Sequence, residues 1–146
     1  MQLTVKHYSE LSVDELYALL QARNAVFVLE QNCPYQDLDD RDQNAYHLWL
    51  HDDQGIAAYL RVLPQGVAFP DCSLGRVLTL RRRQGLGTQL MREGIRIARD
   101  RFHADYITIE AQLYARHFYE LLGFVACSDV FLLDNIEHIK MRLKVE

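Results

Sequence analysis

The residues best suited to chemistry in this chain of 146 residues are a glycine-rich turn preceded by arginines. An apolar stretch at 74–80 runs into Arg81-Arg82-Arg83-Gln84 and then into Gly85-Leu86-Gly87-Thr88, where a helix is predicted to begin. Glycine lets a ligand approach the backbone, and the first turn of a helix presents unpaired N–H groups. The turn therefore predicts a phosphate or pyrophosphate site, and the alternative is a turn with solvated arginines.

Two familiar phosphate-binding loops do not fit this turn. A Walker A loop requires Lys next to its last glycine, whereas Thr88 follows Gly87. The dinucleotide-binding fingerprint requires a third glycine at position 90, which is Leu90. The turn therefore belongs to neither class.

The strands and helices that must position the turn can be predicted from the sequence. Together they indicate one α/β domain with a mixed sheet. Helices are predicted to begin at the capping box Ser12-Val13-Asp14-Glu15 and after Thr88. Asp52-Asp53-Gln54-Gly55 predicts a hairpin of antiparallel strands. The predicted strands are 3–5, 46–50, 56–63, 74–80, 106–109, 124–133 and 138–145, and a third helix is predicted over 115–122.

Two signatures give this chain a resemblance to a known family. The run Arg82-Arg83-Gln84-Gly85-Leu86-Gly87 is similar to the Arg/Gln-x-x-Gly-x-Gly/Ala loop with which GNAT acetyltransferases hold the pyrophosphate of acetyl-CoA. Phe118-Tyr119-Glu120-Leu121-Leu122-Gly123-Phe124 resembles the second signature of that superfamily. Segments similar to its ElaA-like branch are 16–23, 26–37, Gly75-Arg76-Val77, Ala111-Gln112 and His138-Ile139-x-Met141.

This resemblance covers nearly all of residues 1–146 and implies a single GNAT N-acetyltransferase domain. The implied fold is a mixed, mostly antiparallel sheet of six or seven strands, flanked by about four helices. The implied activity is direct transfer of an acetyl group from acetyl-CoA, as cosubstrate and without a metal, to an unidentified primary amine in a ternary complex. An inactive acyl-CoA-binding module for regulation or assembly is the alternative.

The resemblance also implies the residues that bind the cofactor. The strand before the turn offers backbone groups to the pantetheine amides, and the turn itself binds the pyrophosphate, while the arginines meet the 3′-phosphate. The implied cofactor-binding residues are Val77, Leu78, Thr79, Leu80, Arg82, Arg83, Gln84, Gly85, Gly87 and Thr88.

Tyr119 matches the residue that protonates the departing thiolate in the family, and its alternative is a core tyrosine. The amine must in turn lose a proton before it attacks, directly or through an ordered water. The candidate bases are Glu30, His47 and Glu110, each with a structural alternative.

Residues on the acceptor side are expected in the first half of the chain. The net charge of residues 1–70 is -6, which favours a cationic acceptor. The candidate substrate-binding residues are Arg23, Glu30 and Asp39, and the alternative is that Arg23 forms an ion pair with Glu30 or Asp39.

Composition limits the remaining possibilities. A net charge of -4 opposes nucleic-acid binding, although residues 71–101 alone carry a charge of +5. No apolar run is long enough to span a membrane. Three widely spaced cysteines indicate neither disulfides nor zinc. Composition therefore favours a cytoplasmic protein. The resemblance implies that its partners are acetyl-CoA and a small amine or a protein amine, and the protein is expected to be a monomer or a homodimer.

Overall fold

The residues that the structure describes, 1–82 and 84–146 of a computed structural model, form two four-stranded antiparallel sheets. Arg83, one of the predicted cofactor-binding residues, lies outside them. The strands are β1 (Gln2–His7), β2 (Tyr46–Asp52), β3 (Gly55–Leu63), β4 (Ser73–Thr79), β5 (Tyr106–Gln112), β6 (Val125–Ala126), β7 (Phe131–Leu133) and β8 (Ile136–Lys144). The first sheet has the order β1-β2-β3-β4, and in the second β8 lies between β5 and the short strands β6 and β7.

The helices in the described residues agree with the predicted starts. They are α1 (Val13–Arg23), α2 (Leu86–Phe102) and α3 (Arg116–Leu121), together with a π-helical segment (Asn24–Glu30) and 3-10 turns at Tyr8–Glu10, Asp42–Asn44 and Leu113–Ala115. The capping box is present, since Ser12 Oγ accepts from the Glu15 N–H at 3.0 Å and Glu15 Oε1 accepts from the Ser12 N–H at 2.8 Å.

The predicted strand 124–133 is present as two strands, β6 and β7. Ser128 lies between them, and its hydroxyl accepts the Lys140 N–H at 2.9 Å. A side-chain oxygen therefore takes the place of a backbone carbonyl beside β8, and the pairing is interrupted there. The hairpin predicted at 52–55 is confirmed, because Asp52 pairs with Gly55.

The two sheets meet at β4 and β5 and then separate. A single parallel bridge joins Cys72 to Ile107 among the described residues, and the Thr108 N–H donates to the Cys72 carbonyl at 2.9 Å. Beyond it the strands pair only with their other neighbours, β3 and β8. The facing edges therefore leave an opening near the middle of the molecule.

Helix α2 covers one face of the first sheet with a buried apolar side that includes Leu90, Met91 and Ala98. Gly94 allows this close packing, because a Cβ there would lie 2.4 Å from Leu60 Cδ2. Helix α1 and the π-helical segment pack against Tyr59 on the opposite face.

A buried group of charged side chains holds the loop after the π-helical segment against the first sheet. Arg23 is fully buried and donates to Asp37 at 2.9 Å and to Asp42 at 2.7 Å, rather than to Glu30 or Asp39. Arg61, 3% exposed, donates to Asp42 at 3.0 Å and to Asp39 at 2.8 Å. Since each arginine contacts two carboxylates, we call these five side chains the buried ion network. Their charges sum to -1, and Arg76, whose Nε lies 2.7 Å from Asp37, supplies the balancing positive charge where little water reaches.

We expect this network to make stability depend on pH. Burial would raise the pKa of Asp39, but the hydrogen bonds and charge of Arg61 outweigh burial and hold that pKa at about 2. The resulting stabilisation is present above the ordinary pKa of about 4 and is lost as the pH falls towards 2. Asp39→Asn should lower the free energy of unfolding at pH 7 by roughly 2 kcal/mol and flatten its dependence between pH 4 and 2.

Urea unfolding across this pH range measures the effect, with Asp100→Asn as the control. Asp100 pairs with Arg99 on the exposed face of α2, where ion pairs contribute little. If both variants kept the acid dependence of the parent protein, the assigned role of Asp39 would be wrong.

Candidate active site

Two connected clefts lie where β4 and β5 separate. One, about 550 Å³, runs between the sheets and is called the inter-sheet cleft. The other, about 310 Å³, borders the turn before α2 and is called the loop cleft. Residues that line both are Val77, Leu78, Thr79, Arg82, Tyr114, Ala115 and Tyr119. A ligand bound along β4 can therefore extend from one cleft into the other.

The loop cleft is bounded by the N-terminus of α2. Gly85 has φ of 69°, a left-handed conformation that other residues rarely adopt, and no side chain of the described residues caps the helix that follows. The first N–H groups of this 17-residue helix are thus available to an anion. Of the residues predicted to bind the cofactor, this cleft is lined by Val77, Leu78, Thr79, Arg82, Gln84, Gly85, Gly87 and Thr88.

Leu80 is the described member of that set that lines neither cleft. Its N–H donates to the Ala57 carbonyl at 2.7 Å, so this amide is used within the first sheet. Because neighbouring residues of a strand direct their backbone groups to opposite edges, the backbone of Thr79 faces the open edge. Thr79 is therefore positioned to pair with an extended ligand.

A β-bulge in β4 shapes the wall of the inter-sheet cleft. Tyr59 pairs with Leu78 and Arg61 pairs with Gly75, so that Arg76 and Val77 together oppose one residue of β3. Arg76 has φ of 52°, which is strained for a residue with a side chain. Its guanidinium is held by Asp37, 2.7 Å from Nε, and lies over the Tyr35 ring at 5.7 Å. These contacts keep the bulge in place.

Tyr119 lines both clefts from α3. Its ring makes edge contacts with Phe118 at 5.0 Å and Phe124 at 6.0 Å between centroids. Burial, with a smaller contribution from Tyr114, raises the pKa of Tyr119 to about 12. The hydroxyl therefore keeps its proton throughout the physiological range.

Two acidic residues predicted as bases lie in the inter-sheet cleft. Glu30, at the end of the π-helical segment, forms an ion pair with Arg82 across the cleft. Glu110, on β5, is exposed and lies opposite Lys140 in the strand register. The structure thus brings both carboxylates to the same cleft as Tyr119.

Three other predicted site residues line neither cleft. Arg23 and Asp39 belong to the buried ion network. His47 is fully buried; its Nε2 donates to the Asp42 carbonyl at 3.0 Å, and its Nδ1 accepts from the Tyr59 hydroxyl at 2.6 Å. Burial lowers the pKa of His47, which favours the neutral ring. Both ring nitrogens are engaged, and these contacts give His47 a structural role.

Sequence reasoning assigned no role to His138, which lines the inter-sheet cleft. Its Nδ1 lies 2.7 Å from the Ile136 carbonyl, and its ring stacks on Phe131. The one signal in the sequence was the alternation of residues along β8. Because Ile139 and Met141 point into the core, His138 belongs to the opposite face of the strand. Arg76 was likewise missed, because no sequence pattern marked the bulge.

Residues 1–82 and 84–146 contain neither a metal-binding cluster nor a membrane-spanning helix. No three His, Cys, Asp or Glu side chains converge there closely enough to hold a metal ion. None of the helices in this part of the chain is both long and apolar enough to cross a membrane.

Comparisons with known proteins agree with this geometry. A sequence model of the acetyltransferase (GNAT) domain matches residues 5–145. Protein ElaA of Escherichia coli (strain K12) is 39% identical over 145 residues, which cover 95% of this chain and 94% of that protein. A UPF0039 protein of Schizosaccharomyces pombe is 33% identical over 149 residues, covering 99% and 98%.

Solved structures give the same result. The crystal structure of an acyl-CoA N-acyltransferase from Pseudomonas aeruginosa superposes with a TM-score of 0.91 at 39% identity, covering 97% of this chain and 98% of that one. The crystal structure of Escherichia coli ElaA also gives 0.91, at 35% identity, covering 99% and 100%.

These matches confirm the fold class and the resemblance that the two signatures predicted. They extend over nearly the whole chain, including the β4 edge, the turn before α2 and the Tyr119 helix. The chain therefore belongs to the GNAT acetyltransferase family, as an ElaA-like member.

Proposed function

We propose that the protein is an acetyl-CoA-dependent N-acetyltransferase that transfers an acetyl group directly to a primary amine in a ternary complex. The observation that carries this proposal is the meeting of the two clefts at Tyr119. One cleft provides an anion-binding helix terminus, and the other provides room for a second substrate beside the same β4 edge. A single enclosed pocket would not let two substrates approach each other from different sides.

The residues of the loop cleft suit the chemistry of CoA. The uncapped N-terminus of α2 would hold the pyrophosphate, and Arg82 would add charge. The open edge at Thr79 would pair with the pantetheine amides, as an added strand does. A side chain at position 87 would enter this space, since a Cβ on Gly87 lies 3.5 Å from Phe118 and 3.8 Å from Thr79 Cγ2.

The reaction makes a C–N bond and breaks a C–S bond. Acetyl-CoA supplies an activated thioester, so the protein must orient the amine and manage protons. An alkylammonium with pKa of about 10.4 is neutral in only about one molecule in 2,500 at pH 7, which corresponds to roughly 4.6 kcal/mol. A base in the inter-sheet cleft would remove this proton, and of the bases predicted from the sequence Glu30 and Glu110 line that cleft.

Tyr119 is the proposed proton donor to the departing sulfur. A phenol with pKa of about 12 is protonated in every working state of the enzyme. A free thiol in water has a pKa of about 8.5, so donation to it from this buried phenol is uphill by roughly 5 kcal/mol. Burial in the same cleft also raises the pKa of the thiol, which narrows the difference between that pKa and the pKa of the Tyr119 hydroxyl.

The first test is a screen for acetyl-CoA-dependent thiol release against a polyamine, an amino sugar, a small alkylamine, a lysine peptide and a peptide with a free N-terminus. We expect acetylation of at least one amine, identified by mass spectrometry. Binding of acetyl-CoA with no amine acetylated would instead support the inactive acyl-CoA-binding module.

Gly87→Val tests the phosphate site. The branched side chain should fill space beside Phe118 and weaken CoA binding at least tenfold, as measured by calorimetry. Gln89→Val is the control, because it places the same side chain on the exposed face of α2 and outside the cleft. Parent-like CoA affinity in a folded Gly87→Val protein would remove the assignment.

Tyr119→Phe tests the proton donor by removing one hydroxyl. We expect kcat to fall by about 10²–10⁴ while CoA affinity changes little, because the ring and its packing remain. Tyr17→Phe makes the same change at an exposed site on α1 and should leave kcat unaltered. An unchanged kcat for Tyr119→Phe, with chemistry rate-limiting, would make Tyr119 a core residue.

A further inference from the structure

We propose that His138 is the general base that removes the proton from the acceptor ammonium group; the inference rests on the function proposed above. His138 lies on β8, directly opposite Gln112 of β5 and Phe131 of β7 in the strand register. Both His138 and Gln112 line the inter-sheet cleft. His138 is therefore part of the wall of the cleft assigned to the amine.

Hydrogen bonding fixes which ring nitrogen is free. The Ile136 carbonyl, 2.7 Å from Nδ1, can only accept, so Nδ1 carries the hydrogen of the neutral ring. Nε2 then presents a lone pair, and it has no hydrogen-bond partner among the residues that the structure describes. A histidine held in this tautomer is ready to accept a proton.

Packing fixes the orientation of the ring. His138 is 8% exposed and stacks on Phe131 with ring centroids 6.1 Å apart and planes inclined by 25°. Stacking on one face and the Nδ1 hydrogen bond at one edge leave little freedom of rotation. The base is thus preorganised before any substrate binds.

The other candidate bases are less suited to accept the ammonium proton in this cleft. Both nitrogens of His47 are engaged outside the cleft, and Glu30 is paired with Arg82. Glu110 remains in the cleft, but a carboxylate is a weaker base than a neutral imidazole, so an imidazole accepts the ammonium proton more readily.

The proton balance closes with Tyr119. His138 Nε2 takes the first ammonium proton and passes it to solvent, and the neutral nitrogen attacks the thioester carbonyl. As the C–S bond breaks, the Tyr119 hydroxyl protonates the sulfur, and the second proton lost by nitrogen replaces the one that Tyr119 gave. The products are the N-acetyl amine, free CoA and one proton released to solvent.

Other ionisable groups near His138 affect any pH profile and must be considered with it. Those that line the same cleft, together with Lys140 two residues further along β8, are Glu30, Cys33, Tyr35, Arg76, Arg82, Glu110, Tyr114, Tyr119, Asp134 and Lys140. Glu110→Gln is therefore measured alongside the His138 variants.

The decisive variant is His138→Asn, whose amide can still donate to the Ile136 carbonyl but has no basic nitrogen. With the best amine from the screen, kcat should fall by about 10²–10⁴ and the dependence of kcat/KM on pH should change shape, while CoA affinity is unchanged. His117→Asn, at an exposed site on α3, should keep both kcat and the pH profile.

A second measurement needs no substrate. Ring ¹⁵N spectra of histidine-labelled protein, assigned with His138→Asn, should show the Nδ1–H tautomer at pH 8. A tautomer with hydrogen on Nε2, or parent-like kcat and pH profile in His138→Asn, would overturn the assignment while leaving the proposed function intact. Failure of the parent protein to acetylate any amine would overturn both.

Discussion

The separation of β4 from β5 is the constraint on which the rest of the site depends. Two parallel strands that remained paired would close the sheet and use their backbone groups on each other. Here pairing stops after Cys72 and Ile107, and the edges beyond that bridge face open space. Both clefts, the exposed backbone of Thr79 and the position of Tyr119 between the clefts all follow from this one interruption.

Keeping the strands apart requires structure elsewhere. The bulge at Arg76 bends β4, and the side chain of Arg76 is held by Asp37, which also pairs with Arg23. The buried ion network therefore supports the cleft wall indirectly: none of its five members lines a cleft, but Asp37 holds Arg76, which does. From the sequence, Arg23 and Asp39 were candidates for binding substrate. In the structure they help to maintain the backbone geometry of the cleft wall.

Local patterns were sufficient to predict elements whose causes are local. The capping box at Ser12, the hairpin at 52–55 and the glycine turn before α2 each depend on a few adjacent residues. The pairing of Arg23 with Asp42 and the engagement of His47 by Tyr59 depend on contacts between distant segments, so the sequence could not separate them from catalytic candidates. The break at Ser128 was missed for the same reason, since it requires Lys140 as a partner.

The use of backbone groups along β4 has a consequence for how sequence can change in this protein. A strand edge offers the same N–H and C=O groups whatever side chains it carries, provided that the strand keeps its conformation. In the proposed complex, backbone groups of β4 bind the donor, acetyl-CoA. The acceptor amine instead contacts side chains from β5, β8 and the π-helical segment. Mutational drift in those side chains can therefore alter the preferred acceptor without disturbing the donor site, whereas positions with unusual backbone angles, such as Arg76 and Gly85, tolerate far fewer residues.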